Sequence, residues 1–399
     1  MKFGWRVRPD RSGSEARSAL GRRSGSPAGL AGMLALVVAF EAYLSGHATD
    51  LTDLSATDWR ITSGAVDREA RDAELLIFGD SLLKFGVIPD VLERGTGLKT
   101  FNLSVLGGQA ASSYFLFRRA IEAGARPRAV VLDFQDLPGA VGHPARGLGL
   151  RAHLRNWPEL VGVREGFELA RSMRDAGLFA EVELRRLLPS YKARHEVRSS
   201  LWRIVRKGAT PARYLANVQR RNWRLNRGTL VMAPKADNPT KVRPAEHAAP
   251  PSGWSLDPVT DEYLRRFLAL AASREIRVFL VLPPTSPEHE GLRVRVGQHD
   301  FYSKVVRGLA ADFPGVVAVD GRAPGYTRRV FIDDSHLDRR GASGFTSDLA
   351  EVIAHSLSDR HAAPRWVDLP PYRERPEPGP IEDLDQSRLA LDAPGRTRR

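Results

Sequence analysis

Two short blocks of the chain carry the residue types that acyl chemistry needs. Gly79-Asp80-Ser81-Leu82 follows directly on the apolar run Glu74-Leu-Leu-Ile-Phe78. A serine hydroxyl at the end of a strand can act as a nucleophile when a base takes its proton. The N–H groups of the following turn can meet a developing oxyanion. Taken alone, Asp and Ser after a strand serve equally well as a helix N-cap. The second block is Phe331-Ile-Asp333-Asp-Ser-His336-Leu-Asp338-Arg-Arg-Gly341. Its Asp333 and His336, three residues apart, can be the orienting carboxylate and the base that a serine nucleophile requires. A lone D-x-x-H reads as a surface turn, and Asp334 and Asp338 read as turn and cap residues. The chain has no cysteine. That excludes disulfides, thiolate zinc sites, iron–sulfur clusters and a thiol nucleophile.

The elements that must position these blocks read as an α/β pattern. Strand candidates are 74–78, 99–104, 128–134, 277–282 and 315–320. Helical periodicity runs over 111–123, 261–273, 301–311 and 341–355. Apolar strands alternating with helices predict a parallel sheet covered on both faces, a three-layer α/β/α sandwich. The alternation stops between the third and fourth strands, where 138–257 read as a helical insertion rich in Arg and Trp. The expected organisation is a basic cytoplasmic tail over 1–27, an anchor or signal segment over 28–46 and a linker over 47–71. The core occupies 72–137 and 258–358, and a Pro-rich tail over 359–399 is expected to be disordered.

Together the blocks resemble the SGNH (GDSL-type) hydrolase superfamily. Its leading strand–Gly-Asp-Ser block is matched by Gly79, Asp80 and Ser81. Its Asn with a Gly five residues later is matched by Asn102 and Gly107, and its closing Asp-x-x-His by Asp333 and His336. Leu337 and Gly341 also match. The resemblance covers residues 72–137 and 258–356. The apolar N-terminal segment, the insertion and Pro189–Arg194 most resemble membrane-tethered bacterial SGNH-domain proteins. The resemblance implies Ser81 as nucleophile, His336 as general base and Asp333 as its orienter. It also implies an oxyanion hole that includes the Ser81 and Gly107 N–H groups. The third block departs from the family's Gly-x-Asn-Asp, because this chain reads Asp133-Phe134-Gln135-Asp136. Gln135 carries the same amide one methylene farther out. It can donate to the oxyanion, or it can be an ordinary polar residue after a strand. No cofactor or metal is expected.

The charge adds topology. The chain of 399 residues carries a formal +13, and an apolar fraction of 42% excludes wholesale disorder. Of its 60 basic residues only eight are lysine. Residues 1–23 net +5 and 192–227 net +10, so the rest is near neutral. The first cluster precedes an apolar stretch from Ala28, which reads as a single-span anchor, a cleaved signal with Gly46-His47-Ala48 as its site, or a buried helix. The first two readings keep the N-terminus cytoplasmic and export the remainder. Lys192–Arg227 reads as a solvated face or as a surface for anionic glycan or lipid headgroups. Nucleic acid is disfavoured, since no nucleic-acid motif accompanies the charge. The leading expectation is a membrane-anchored esterase or O-acyltransferase acting on acyl, chiefly acetyl, esters of envelope glycan or lipid-linked carbohydrate. The alternative is a catalytically inactive SGNH-fold glycan-binding or assembly protein.

Overall fold

The computed structural model describes residues 27–46, 53–134, 148–194, 212–235, 254–322, 325–359, 364–375 and 379–393. The chain divides into two units, 1–47 and 48–399. In the first, α1 (Pro27–Gly46) is a 20-residue helix. Its apolar stretch Ala28–Gly46 has a mean hydropathy of 1.7. At 1.5 Å per residue such a helix is about 30 Å long, enough for a bilayer core. A signal sequence has the same character.

The second unit is the α/β domain that the strand pattern predicts. Six strands form one all-parallel sheet in the order β2-β1-β3-β4-β5-β6. They are β1 (Leu75–Phe78), β2 (Thr100–Asn102), β3 (Ala129–Leu132), β4 (Arg277–Leu282), β5 (Val316–Asp320) and β6 (Trp366–Asp368). Alternate side chains enter different cores. Leu76, Phe78, Val278 and Leu280 face one cluster, while Leu75, Ile77, Phe279 and Val281 face the other. Two buried faces explain why these strands read as continuous apolar runs. The chain order reverses between β1 and β3, and ligands of open parallel sheets bind at the carboxyl end of such a point.

The first face carries α2 (Leu54–Glu69), α5 (Ala110–Glu122), α12 (Pro258–Ala272) and α14 (Gln298–Asp312). Phe117 and Phe267 stack there at 4.4 Å. The second face carries α3 (Ser81–Gly86), α4 (Pro89–Thr96) and α15 (Arg339–Ser358). Between β3 and α12 the described residues are mainly helical: α6 (Leu148–Ala152), α7 (Trp157–Leu160), α8 (Val163–Met173), α9 (Ala176–Leu187), α10 (Pro189–Lys192) and α11 (Ala212–Leu225). The elements α13 (Pro287–Arg295) and α16 (Leu384–Asp392) complete the set.

Two expectations are corrected. Residues 47–71 are not a simple linker, because α2 lies within them. Asp53 caps the helix by accepting from Ala56 N–H, and Trp59 and Val66 are buried. The helical spacing of Trp59, Thr62 and Val66 marks a buried face. The tail over 359–399 is not wholly disordered either. Trp366–Asp368 forms the sixth strand, and Leu369 and Ile381 enter the second core. Its prolines flank the strand rather than interrupt it, and an edge strand tolerates that.

Candidate active site

Ser81, His336 and Asp333 form one hydrogen-bonded chain across 255 residues of sequence. Ser81 is the first residue of α3, directly after the turn that ends β1. Asp80 caps this helix, its Oδ1 accepting from Leu82 N–H at 2.6 Å. The capping and nucleophile readings of the Gly-Asp-Ser block therefore fall on adjacent residues. Ser81 Oγ lies 2.8 Å from His336 Nε2, and His336 Nδ1 lies 2.7 Å from Asp333 Oδ2. Phe85 sets its ring edge-on to the imidazole at 5.0 Å.

The orienting carboxylate is held twice. Asp333 Oδ1 accepts from His336 N–H at 2.8 Å and from Ser335 N–H at 2.9 Å. Burial raises its pKa. The hydrogen bond and charge of His336, with the two backbone donors, outweigh that and bring it down to about 2. Asp333 is therefore charged across the neutral range. It can fix the tautomer with the proton on Nδ1, which frees Nε2 to take the Ser81 proton. Asp338 caps α15 by accepting from Arg340 and Gly341 N–H groups.

The expected oxyanion donors, the Ser81 and Gly107 N–H groups, lie on the turn into α3 after β1 and on the loop after β2. Val105 N–H donates to Gly79 O at 3.1 Å, which brings the loop after β2 against the end of β1. Neither the Ser81 nor the Gly107 N–H donates to an acceptor among the described residues. Gly107 has φ +67, and a Cβ there would lie 2.2 Å from His153 Cε1. Gly79 is equally constrained, since a Cβ would meet Asp133 Oδ1 at 1.7 Å. Asn102 is a strut. Its amide donates to Leu83 O, Val87 O and Thr229 Oγ1, and its oxygen accepts from Ser104 N–H. Gln135 lies outside the described residues.

Several residues of this site carry no sequence motif. Asp133 Oδ1 accepts from Asp80 N–H at 2.9 Å. Burial and the neighbouring Asp80 charge push the Asp133 carboxyl well above the ordinary value. Asp58 Oδ2 accepts from Leu106 N–H at 2.8 Å, and Trp59 Nε1 and Ser55 Oγ both donate to Leu106 O. The residue before Gly107 is thus clamped by α2. Lys84, alone among apolar neighbours in α3, was the available signal, because a buried cation needs a partner.

Lys192–Arg227, read as a solvated face or an anion surface, is neutralised in part where it is described. Lys192 pairs with Glu159, Arg221 with Glu382, and Arg227 with Asp90 and Glu93. Residues 195–211 lie outside the described residues. Among the described residues, no group of three or more His, Cys, Asp or Glu side chains is arranged to hold a metal ion. No family model and no curated protein matches the chain.

Proposed function

We propose that the protein is an SGNH-type serine ester hydrolase or O-acyltransferase, held at the bacterial cell membrane by α1 with its α/β unit outside the cytoplasm. The observation that carries the reading is the unbroken chain from Ser81 Oγ through His336 to Asp333. Ser81 Oγ attacks the ester carbonyl carbon as His336 Nε2 takes its proton. The Ser81 and Gly107 N–H groups receive the oxyanion. Collapse breaks the bond to the leaving alkoxide, which takes the proton back from His336 and departs as an alcohol. Water, or a hydroxyl of a second carbohydrate, then attacks acyl–Ser81 with His336 again as base.

The substrate class is an acyl ester, chiefly acetyl, of envelope glycan or lipid-linked carbohydrate. Its support is the apolar helix near the N-terminus, which suits a protein working at the envelope. Labelling by a fluorophosphonate probe tests the nucleophile. Wild type is expected to label and Ser81→Ala to stay unlabelled while keeping its melting temperature. A folded wild type that does not label would sink the assignment.

A further inference from the structure

We propose that the α8–α9 hairpin is a surface that seats on anionic lipid headgroups. Arg164, Phe167 and Arg171 recur along one face of α8, and Arg174 ends it in a left-handed conformation with φ 54. They line an open depression of about 500 Å³. Its two acids are already occupied. Glu168 binds Arg118 and Arg266, and Glu262 accepts from the Ser172 hydroxyl. Arg164, Arg171 and Arg174 have no acidic partner among the described residues. Arg266 also reaches Glu262 at 3.4 Å, so the four arginines and two glutamates of the lining leave two positive charges in excess. Arginine forks suit phosphate oxygens.

The apolar groups beside them select the occupant. Val163, Phe167 and Leu187 are 58%, 62% and 73% exposed. Phe167 meets Phe179 of α9 edge-on at 6.0 Å. Arg186, the neighbour of Leu187, donates to Val161 O at the foot of α8. Exposed large aliphatic and aromatic residues beside surplus cations suit a headgroup–acyl boundary, which accepts both. A soluble polyanion would use the arginines and leave Val163 and Leu187 in water. The inference rests on the membrane-bound reading of α1 for its lipid and not on the chemistry at Ser81.

The absence of cysteine makes the test direct, because Leu184→Cys gives the full chain one thiol for a fluorophore. The labelled chain is placed in nanodiscs of phosphatidylcholine, with or without phosphatidylglycerol, that carry nitroxide lipids. Quenching is expected only with phosphatidylglycerol. Each arginine near an anionic surface is worth about fivefold, so the triple variant Arg164→Glu, Arg171→Glu, Arg174→Glu should weaken contact by about a hundredfold or more. Near-UV circular dichroism checks its fold. No quenching, or equal quenching on both lipids, would overturn the proposal. So would soluble polyphosphate binding by a chain whose label stays unquenched on lipid. Retention on phosphatidylcholine discs reads α1 separately, and fluorophosphonate labelling reads Ser81, so each reading can fail alone.

Discussion

Lys84 Nζ lies 2.9 Å from Asp58 Oδ1, and neither side chain is exposed to solvent. Lys84 stands one helical turn beyond Ser81, and the second Asp58 oxygen holds the N–H of Leu106, next to Gly107. One carboxylate thus ties the helix that begins at Ser81 to the loop that holds Gly107. Burial pushes each group toward neutrality, raising Asp58 and lowering Lys84, while their pairing opposes both shifts. Lys84→Met leaves the buried Asp58 carboxyl without its counter-ion, so it is expected to cost about 3–5 kcal/mol. The pair Lys84→Met with Asp58→Asn removes the stranded charge and keeps an acceptor for Leu106. It should recover much of that loss. Urea midpoints of the two variants check this. Equal loss in both would refute the stranded-charge account.

Asp333→Asn should preserve the fold and lower the rate of fluorophosphonate labelling. An amide at this position favours the wrong His336 tautomer, and an effect of about 10⁴ is the expected scale. His336→Ala should be at least as slow, since it removes the proton acceptor itself. Single-exponential labelling rates, set beside melting curves, separate this from unfolding. A labelling rate unchanged in Asp333→Asn would remove the orienting role.

The two site carboxyls respond to pH in opposite senses. The Asp333 pKa is lowered to about 2 on folding. Its contribution is present above the unfolded value of about 3.9 and lost as pH falls toward the folded one. Its partial exposure keeps that contribution small. The Asp133 pKa is raised well above the ordinary value, by burial and by Asp80. Its contribution is complete below about pH 3.9 and is lost as pH rises through the folded value. Asp133→Asn mimics the neutral acid and keeps an acceptor for Asp80 N–H. It should flatten the decline of the melting temperature that accompanies the rise in pH through that folded value. A decline as steep as wild type's would show that Asp133 does not cause it.

Leu369→Ala tests the role of the C-terminal segment. Leu369 is 5% exposed in the second core, and its N–H donates to Asp320 O. Truncation of a buried leucine costs about 2–5 kcal/mol. A drop in urea midpoint of that size is expected, whereas a peripheral tail would give almost none.

The sheet was legible because its strands are buried on both faces and read as apolar runs. Ser81, Asp333 and His336 were legible because triad chemistry restricts residue types. Asp133 was read only as the start of a departing block, since its role comes from a register that sets it against Gly79. The buried face of α2 was hidden by polar neighbours, and β6 by the prolines around it. The charge of Lys192–Arg227 was counted from the sequence, but the pairing of Lys192, Arg221 and Arg227 was not legible there. Their partners Glu93, Glu159 and Glu382 come from distant segments, and a local count cannot see them.

The return segment after α11 has a consequence for self-association. β2 is the sheet's outer strand on one side, and Asn102 N–H donates to Arg227 O while Gly228 lies close against the Asn102 carbonyl. The open side of this strand is thereby met at its Asn102 end by the molecule's own chain. On the opposite side, β6 is followed at once by Leu369-Pro370-Pro371, and proline has no N–H to extend a ladder. A foreign strand meets a covered margin at β2 and a truncated one at β6. The sheet is thus guarded at both margins against templating its own aggregation.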